Sequence, residues 1–143
     1  MKQKYINLYM DWAKRCSELS HARRLHVGAV IVKDDTVISY GYNGMPAGWD
    51  NNCEDEIKWP NGDIKFLTTK PEVLHAESNA IAKLAKSSNS GARADLFVTH
   101  SPCLDCAKLI YQSGISRVYY NENYRDDTGI QFLKKSGIEV NQI

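Results

Sequence analysis

The chain has 143 residues, 43% of them hydrophobic and 24% charged, which suits one folded domain with a real core. Its 18 Lys and Arg against 17 Asp and Glu leave a net charge of +1, which argues against a surface built to track a nucleic-acid polymer. Charges run through the opening "MKQKYINLYMDWAKRC" and no stretch approaches the roughly 18 apolar residues of a membrane span, so neither a signal peptide nor a membrane partner is expected, and a cytoplasmic location is.

Residues 4 to 19 carry Tyr5, Leu8, Tyr9, Trp12, Ala13, Cys16 and Leu19 at helical spacing and predict a first amphipathic helix. In "HVGAVIVKDDTVISYGYNG", two β-branched runs, 27 to 32 and 36 to 40, flank Lys33-Asp34-Asp35 and predict a hairpin. From Asn43 to roughly Lys70, Gly, Pro, Asn and Asp leave little periodicity, which reads as a long functional or flexible loop. His75 to about Lys86 reads as a helix ended by "SSNSGAR", and "ADLFVTH" as a strand. Pro102 opens the next helix, which runs to Gln112 and is closed by Gly114. "SRVYY" is a strand, residues 127 to 135 a short helix and "GIEVNQI" a last strand. The order α-β-β-α-β-α-β-α-β predicts an α/β three-layer sandwich, a five-stranded mixed sheet flanked by helices on both faces.

"EVLHAESNAI" holds His75 and Glu77 two residues apart. Two such residues lie about 200° apart around a helix and share no face, so to act on one partner they must sit in the first turn and reach past the helix end. "PCLDC" offers that partner. Cys103 and Cys106, three apart at a helix start, present both sulfurs on one face, and the helix N-terminus favours the thiolate that a metal binds. One imidazole nitrogen and two thiolates suit zinc and leave a fourth position for water. Strand 94 to 100 joins the two helices, so a right-handed crossover brings them side by side. Glu77 would then take a proton from water and deliver it to a leaving group. Other readings stay open: Cys103 and Cys106 as a redox pair, a closed structural zinc site completed by His100 or Cys53, and Glu77 as a solvated first-turn carboxylate. Cys16 and Cys53 read as small apolar side chains or incidental thiols. His-x-Glu followed by Pro-Cys-x-x-Cys is far more specific than its parts, and it resembles the signature of the zinc deaminases.

On "VGAVIV", "GYNGMPAG", "HAESNAI", "SPCLDCAKLIYQSGI" and "YRDD", over roughly residues 5 to 140, the chain resembles the cytidine deaminase superfamily and, within it, the deoxycytidylate (dCMP) deaminase family. "GYNGMP" carries the narrower match. The resemblance implies hydrolysis of dCMP to dUMP and ammonia, supplying dUMP for thymidylate synthesis. It implies one zinc per chain on His75, Cys103 and Cys106, with Glu77 carrying protons to ring N3 and to the departing amine. The backbone around Ala76 and Ser101 would line the ring pocket and Asn43 would hold the deoxyribose. Arg24, Tyr124 and Arg125 would grip the 5′-phosphate, although Arg23, Arg24 and Arg125 read nearly as well as surface cations.

The same resemblance implies a homo-hexamer, activated by dCTP and inhibited by dTTP with Mg2+. The regulatory loop would include Gly44, Met45, Pro46 and Gly48, with Asp50, Glu54, Asp55 and Glu56 holding magnesium waters. Some viral members bind a second zinc in a long insertion; the loop ahead of His75 here contains Cys53 but no histidine, so a single zinc is expected. Two rivals remain. A nucleoside or tRNA deaminase would need, respectively, no phosphate clamp or an extended basic surface. A nonenzymatic zinc-stabilised nucleotide-binding module would not need Glu77.

Overall fold

The computed structural model describes residues 1–124 and 126–143. Its elements run α1 (Gln3–Ser17), β1 (Gly28–Lys33), β2 (Thr36–Tyr42), β3 (Glu54–Lys58), β4 (Ile64–Thr69), α2 (Ala76–Ala85), β5 (Asp95–His100), α3 (Leu104–Gln112), β6 (Arg117–Glu122), α4 (Thr128–Lys135) and β7 (Glu139–Gln142). The expected five-stranded mixed sheet is present in the order β2-β1-β5-β6-β7. β1 is antiparallel to both β2 and β5, whereas β5, β6 and β7 are parallel. The β1–β2 turn is a tight one: Asp34 and Asp35 both take positive φ, 50° and 57°, as a primed hairpin turn requires.

Strands that read as unbroken apolar runs are buried on both faces. β1 and β5 fit this rule, with every residue but the last buried. Ala29, Ile31, Leu96 and Val98 pack under α2, α3 and α4, through side chains such as Ala80, Ile110 and Leu133. Val30, Val32 and Phe97 face the other way, onto Tyr9, Met10 and Ala13 of α1. There Phe97 stacks on Tyr119 with ring centroids 4.7 Å apart. Helices thus cover both faces, three on one side and α1 on the other.

The long loop expected from Asn43 to Lys70 is only partly a loop. Residues 54–69 fold into a separate two-stranded hairpin, β3 against β4. Its turn is built on Asn61-Gly62: Gly62 has φ +93°, its N–H donates to the Trp59 carbonyl at 2.9 Å, and the Trp59 N–H donates to Asp63 at 2.8 Å. The alternation of Ile57, Ile64 and Phe66 was the missed signal. It reads weakly because those side chains meet no core and stay exposed. The third helix also starts later than expected, at Leu104 with Cys103 as its cap, because the chain is still extended there.

Two glycines set how closely helices approach the site. A Cβ on Gly41 of β2 would lie 2.7 Å from the Ala80 nitrogen and would crowd the Ala76 carbonyl, so α2 rests directly on the strand. A Cβ on Gly129 would lie 2.8 Å from the Cys103 carbonyl and would crowd that of Pro102, so the first turn of α4 abuts the segment that carries the cysteines. Among the described residues, no helix is long and apolar enough to cross a membrane.

Candidate active site

His75 and Cys103 occupy equivalent places. Each caps the N-terminus of its helix in extended conformation (φ −82°, ψ 154° and φ −71°, ψ 169°), and neither side chain bonds its own helix end. Both turn instead toward each other. His75 Nδ1 lies 3.3 Å from Cys106 Sγ and 3.5 Å from Cys103 Sγ, and the three ligand atoms fall within 4.8 Å of one another. His75 is the cap and Glu77 stands in the first turn, so residues two apart line one cavity.

The electrostatics show what such a cluster suits. Hydrogen bonds from Cys106 and His75 draw the Cys103 thiol down to about 4, and sharing with Cys103 drives the Cys106 thiol upward. The hydrogen bond to Cys103 raises His75. Two sulfurs competing for one proton beside a ring nitrogen form a soft donor set that a divalent cation satisfies, and the residues therefore fit zinc. Among the described residues this is the one group of three His, Cys, Asp or Glu ligands that converges. His100 and Cys53 lie outside it, which removes the closed four-ligand reading: the Cys53 thiol faces the Asn51 carbonyl at 3.5 Å and His100 faces Glu122 at 3.2 Å.

Glu77 is 4% exposed, so it is not a solvated first-turn carboxylate. Burial pushes its carboxyl up to about 7, against the opposing pull of a backbone N–H and of His75. It lines a cavity of about 350 Å³, within the range of small-molecule sites. Around the same cavity stand His75, Ala76, Ser101 and Cys103, together with Arg24, Asn43 and Tyr124. The structure thus gathers these sequence-expected residues at one site, with Cys106 buried behind the wall. Arg125 lies outside the described residues.

The individual roles look different at close range. Asn43 braces the backbone: its Oδ1 accepts the Val27 N–H at 2.9 Å and its Nδ2 donates to the Leu25 carbonyl at 2.8 Å. Ser101, buried, donates its N–H to the Glu122 carbonyl and accepts the Tyr124 N–H on Oγ at 2.7 Å, which ties the 122–124 segment to the site. Arg24 Nη1 donates to Thr69 Oγ1 at 2.8 Å. The β3–β4 hairpin therefore supplies part of the wall.

The regulatory loop divides. Met45 and Asp50, with Trp49, Lys70 and Glu72, line a second cavity of about 390 Å³. Gly44, Met45, Pro46 and Gly48, with Asn79 and Lys83, line a third of about 280 Å³. Glu54 and Glu56 join neither, because the hairpin carries them away from Asp50. Glu54 is 1% exposed and lines the main cavity, where its two oxygens accept the Arg23 N–H at 2.7 and 3.1 Å. Glu56 pairs with Arg23 Nη1 at 3.0 Å, and Asp55 pairs with Lys70. Sequence reasoning missed Glu54, Thr69 and Glu122 as wall residues, since only strand register and the unrecognised hairpin bring them there.

The family model described as the cytidine and deoxycytidylate deaminase zinc-binding region matches residues 2–122. The chain belongs to that family. A solved dCMP deaminase shares the fold. The dCMP deaminase of cyanophage S-TIM5, solved with dCMP and dUMP, is 42% identical with a TM-score of 0.88, covering 100% of this chain and 99% of its own. The ComE operon protein 2 of Bacillus subtilis is 40% identical over 84% of this chain and 61% of its own length. The deoxycytidylate deaminase of Saccharomyces cerevisiae is 35% identical over 99% of this chain and 46% of its own. The chain thus spans less than two thirds of the length of these two curated relatives.

Proposed function

We propose that the chain, as a single domain over residues 1–143, hydrolyses dCMP to dUMP and ammonia. The observation that carries this reading is the buried Glu77 beside the His75–Cys103–Cys106 cluster, in a cavity that also holds Arg24. Similarity over the whole chain to the phage enzyme solved with dCMP and dUMP supports the choice of substrate. His75 Nδ1 and the two sulfurs would hold one zinc, which when bound supplies Lewis-acid activation of water.

The chain's own groups do the rest. Glu77 takes a proton from the attacking water, passes it to ring N3, and moves the next one to the departing amine, so that one water enters and one ammonia leaves. Its burial keeps solvent from competing for those protons. Ala76 and Ser101 offer backbone groups to the ring. Arg24, with Tyr124 and Arg125, is proposed to hold the 5′-phosphate.

Glu77→Gln tests the assignment. The isosteric amide cannot carry a proton, so turnover should fall by at least roughly 10²- to 10⁴-fold while zinc content stays near one per chain. Loss of zinc in that variant would make Glu77 structural and contradict the mechanism.

Regulation by dCTP and by dTTP with Mg2+ is proposed at the two cavities lined by Gly44, Met45, Pro46, Gly48 and Asp50. Addition of each nucleotide to the assay should raise or lower the rate; no response to either removes this part. A homo-hexamer is proposed as well, since Leu8 and Trp12 on α1 are 50% and 46% exposed and offer apolar area for subunit contacts. Light scattering that returns a monomer mass would contradict it. A cytoplasmic setting suits the free Cys103 and Cys106, which need reducing conditions to stay thiols.

A further inference from the structure

Two consecutive arginines grip the root of the β3–β4 hairpin, one on each strand. The Arg23 main-chain N–H donates to both oxygens of Glu54 at 2.7 and 3.1 Å, and its guanidinium pairs with Glu56 at 3.0 Å. Both carboxylates belong to β3. Arg24 reaches β4 instead, where its Nη1 donates to Thr69 Oγ1 at 2.8 Å. Glu54 and Thr69 are partners in the strand register, and Glu56 follows two residues after Glu54, so all three side chains stand on one face of the hairpin. Glu54 and Thr69 line the main cavity. The Lys70 N–H donates to the Cys53 carbonyl at 2.8 Å and closes the root.

The two arginines keep different amounts of their charge. Two carboxylates offset that of Arg23, Glu56 at 3.0 Å and Glu54 at 4.0 Å from the guanidinium. Among the described residues Arg24 makes no ion pair, and its acceptor is a neutral hydroxyl. That difference decides what each can do for an anion. A carboxylate in place of Thr69 would hold Arg24 more firmly but would cancel the charge that a phosphate needs. A hydroxyl takes one of the five guanidinium N–H donors, restrains a long side chain with many rotamers, and leaves the other donors and the charge for a ligand. Such preorganisation strengthens binding, because less has to be ordered on contact.

We infer that Thr69 is a positioning residue: its hydroxyl aims Arg24 at the 5′-phosphate, and the hairpin that Arg23 clasps holds Thr69 in place. The inference rests on the proposed dCMP deamination with Arg24 at the phosphate. It adds the hairpin to the parts that set the preference for a nucleotide over a nucleoside.

The experiment reads the ratio of kcat/KM for dCMP to that for deoxycytidine. It compares wild type, Thr69→Val, Thr69→Ser, Arg24→Ala and the double variant of Arg24→Ala with Thr69→Val. Valine keeps the β-branched shape that suits a strand and removes the hydroxyl. Thr69→Val should lower the ratio about two- to tenfold, the scale of one hydrogen bond, through KM for dCMP. Thr69→Ser, which keeps the hydroxyl, should retain most of the wild-type ratio. In the double variant the valine should cost nothing beyond Arg24→Ala, because Thr69 acts through Arg24. A ratio unchanged by Thr69→Val, with both substrates equally affected or neither, overturns the inference and leaves the deaminase reading standing. So does a further loss in the double variant, since Thr69 would then meet the substrate itself. A wild-type ratio in Arg24→Ala removes Arg24 from the phosphate site and the inference with it, and absence of dCMP turnover in wild type overturns both readings.

Discussion

Glu77 sits where two demands conflict, since burial opposes its charge and the proposed proton transfer would require that charge to come and go. The surroundings reconcile them: a backbone N–H and His75 oppose the effect of burial and leave its carboxyl at about 7. His75, Glu77, Cys103 and Cys106 were legible in the sequence because each pair is fixed by covalent spacing on a single helix start. Thr69 and Glu122 were not, because nothing in their local pattern says what lies across the cavity. Arg24 falls between. The resemblance implies a place for it in the phosphate clamp, but its bond to Thr69 depends on the hairpin. Arg24→Ala should raise KM for dCMP about tenfold or more, the scale of a lost charge-assisted hydrogen bond, and should leave KM for deoxycytidine nearly unchanged. Steady-state kinetics on both substrates decide this, and equal effects would take Arg24 out of the phosphate site.

At the scale of elements, the central sheet and the four helices were readable because burial imposes their periodicity. The β3–β4 hairpin was not. Its apolar side chains, Ile57, Ile64 and Phe66, sit outside the core, and Asn61-Gly62 falls inside a stretch with little periodicity. The missed hairpin also explains why Glu54 and Glu56 were misplaced among the expected magnesium ligands: both are spent on Arg23. Helix starts matter most here, because His75 and Cys103 hold their places only if α2 and α3 begin where they do. The first turn of α4 presses on the Cys103 backbone through Gly129, which has no room for a Cβ. Gly129→Ala should therefore displace Cys103 and weaken zinc retention against a competing chelator. Zinc retention equal to wild type would show that the contact relaxes without moving the cysteine.

For the whole molecule, the C-terminal ends of the parallel strands β5 and β6 and the starts of α2 and α3 meet at one end of the sheet, and the cavity forms there. The hairpin and the segments 22–27 and 122–124 complete its wall. Four residues at that end were legible in the sequence, whereas the shape of the cavity depends on contacts between segments far apart in the chain. Family membership and the buried Glu77 both support the proposed hydrolysis of an amino group from a cytosine ring. The proposed phosphate clamp would carry the choice of dCMP over the nucleoside. The loss of ultraviolet absorbance on incubating the zinc-loaded protein with dCMP, and separately with deoxycytidine, tests that claim most directly. Rapid loss with dCMP and little with deoxycytidine is the predicted result; equal rates on the two, or none on dCMP, would contradict it.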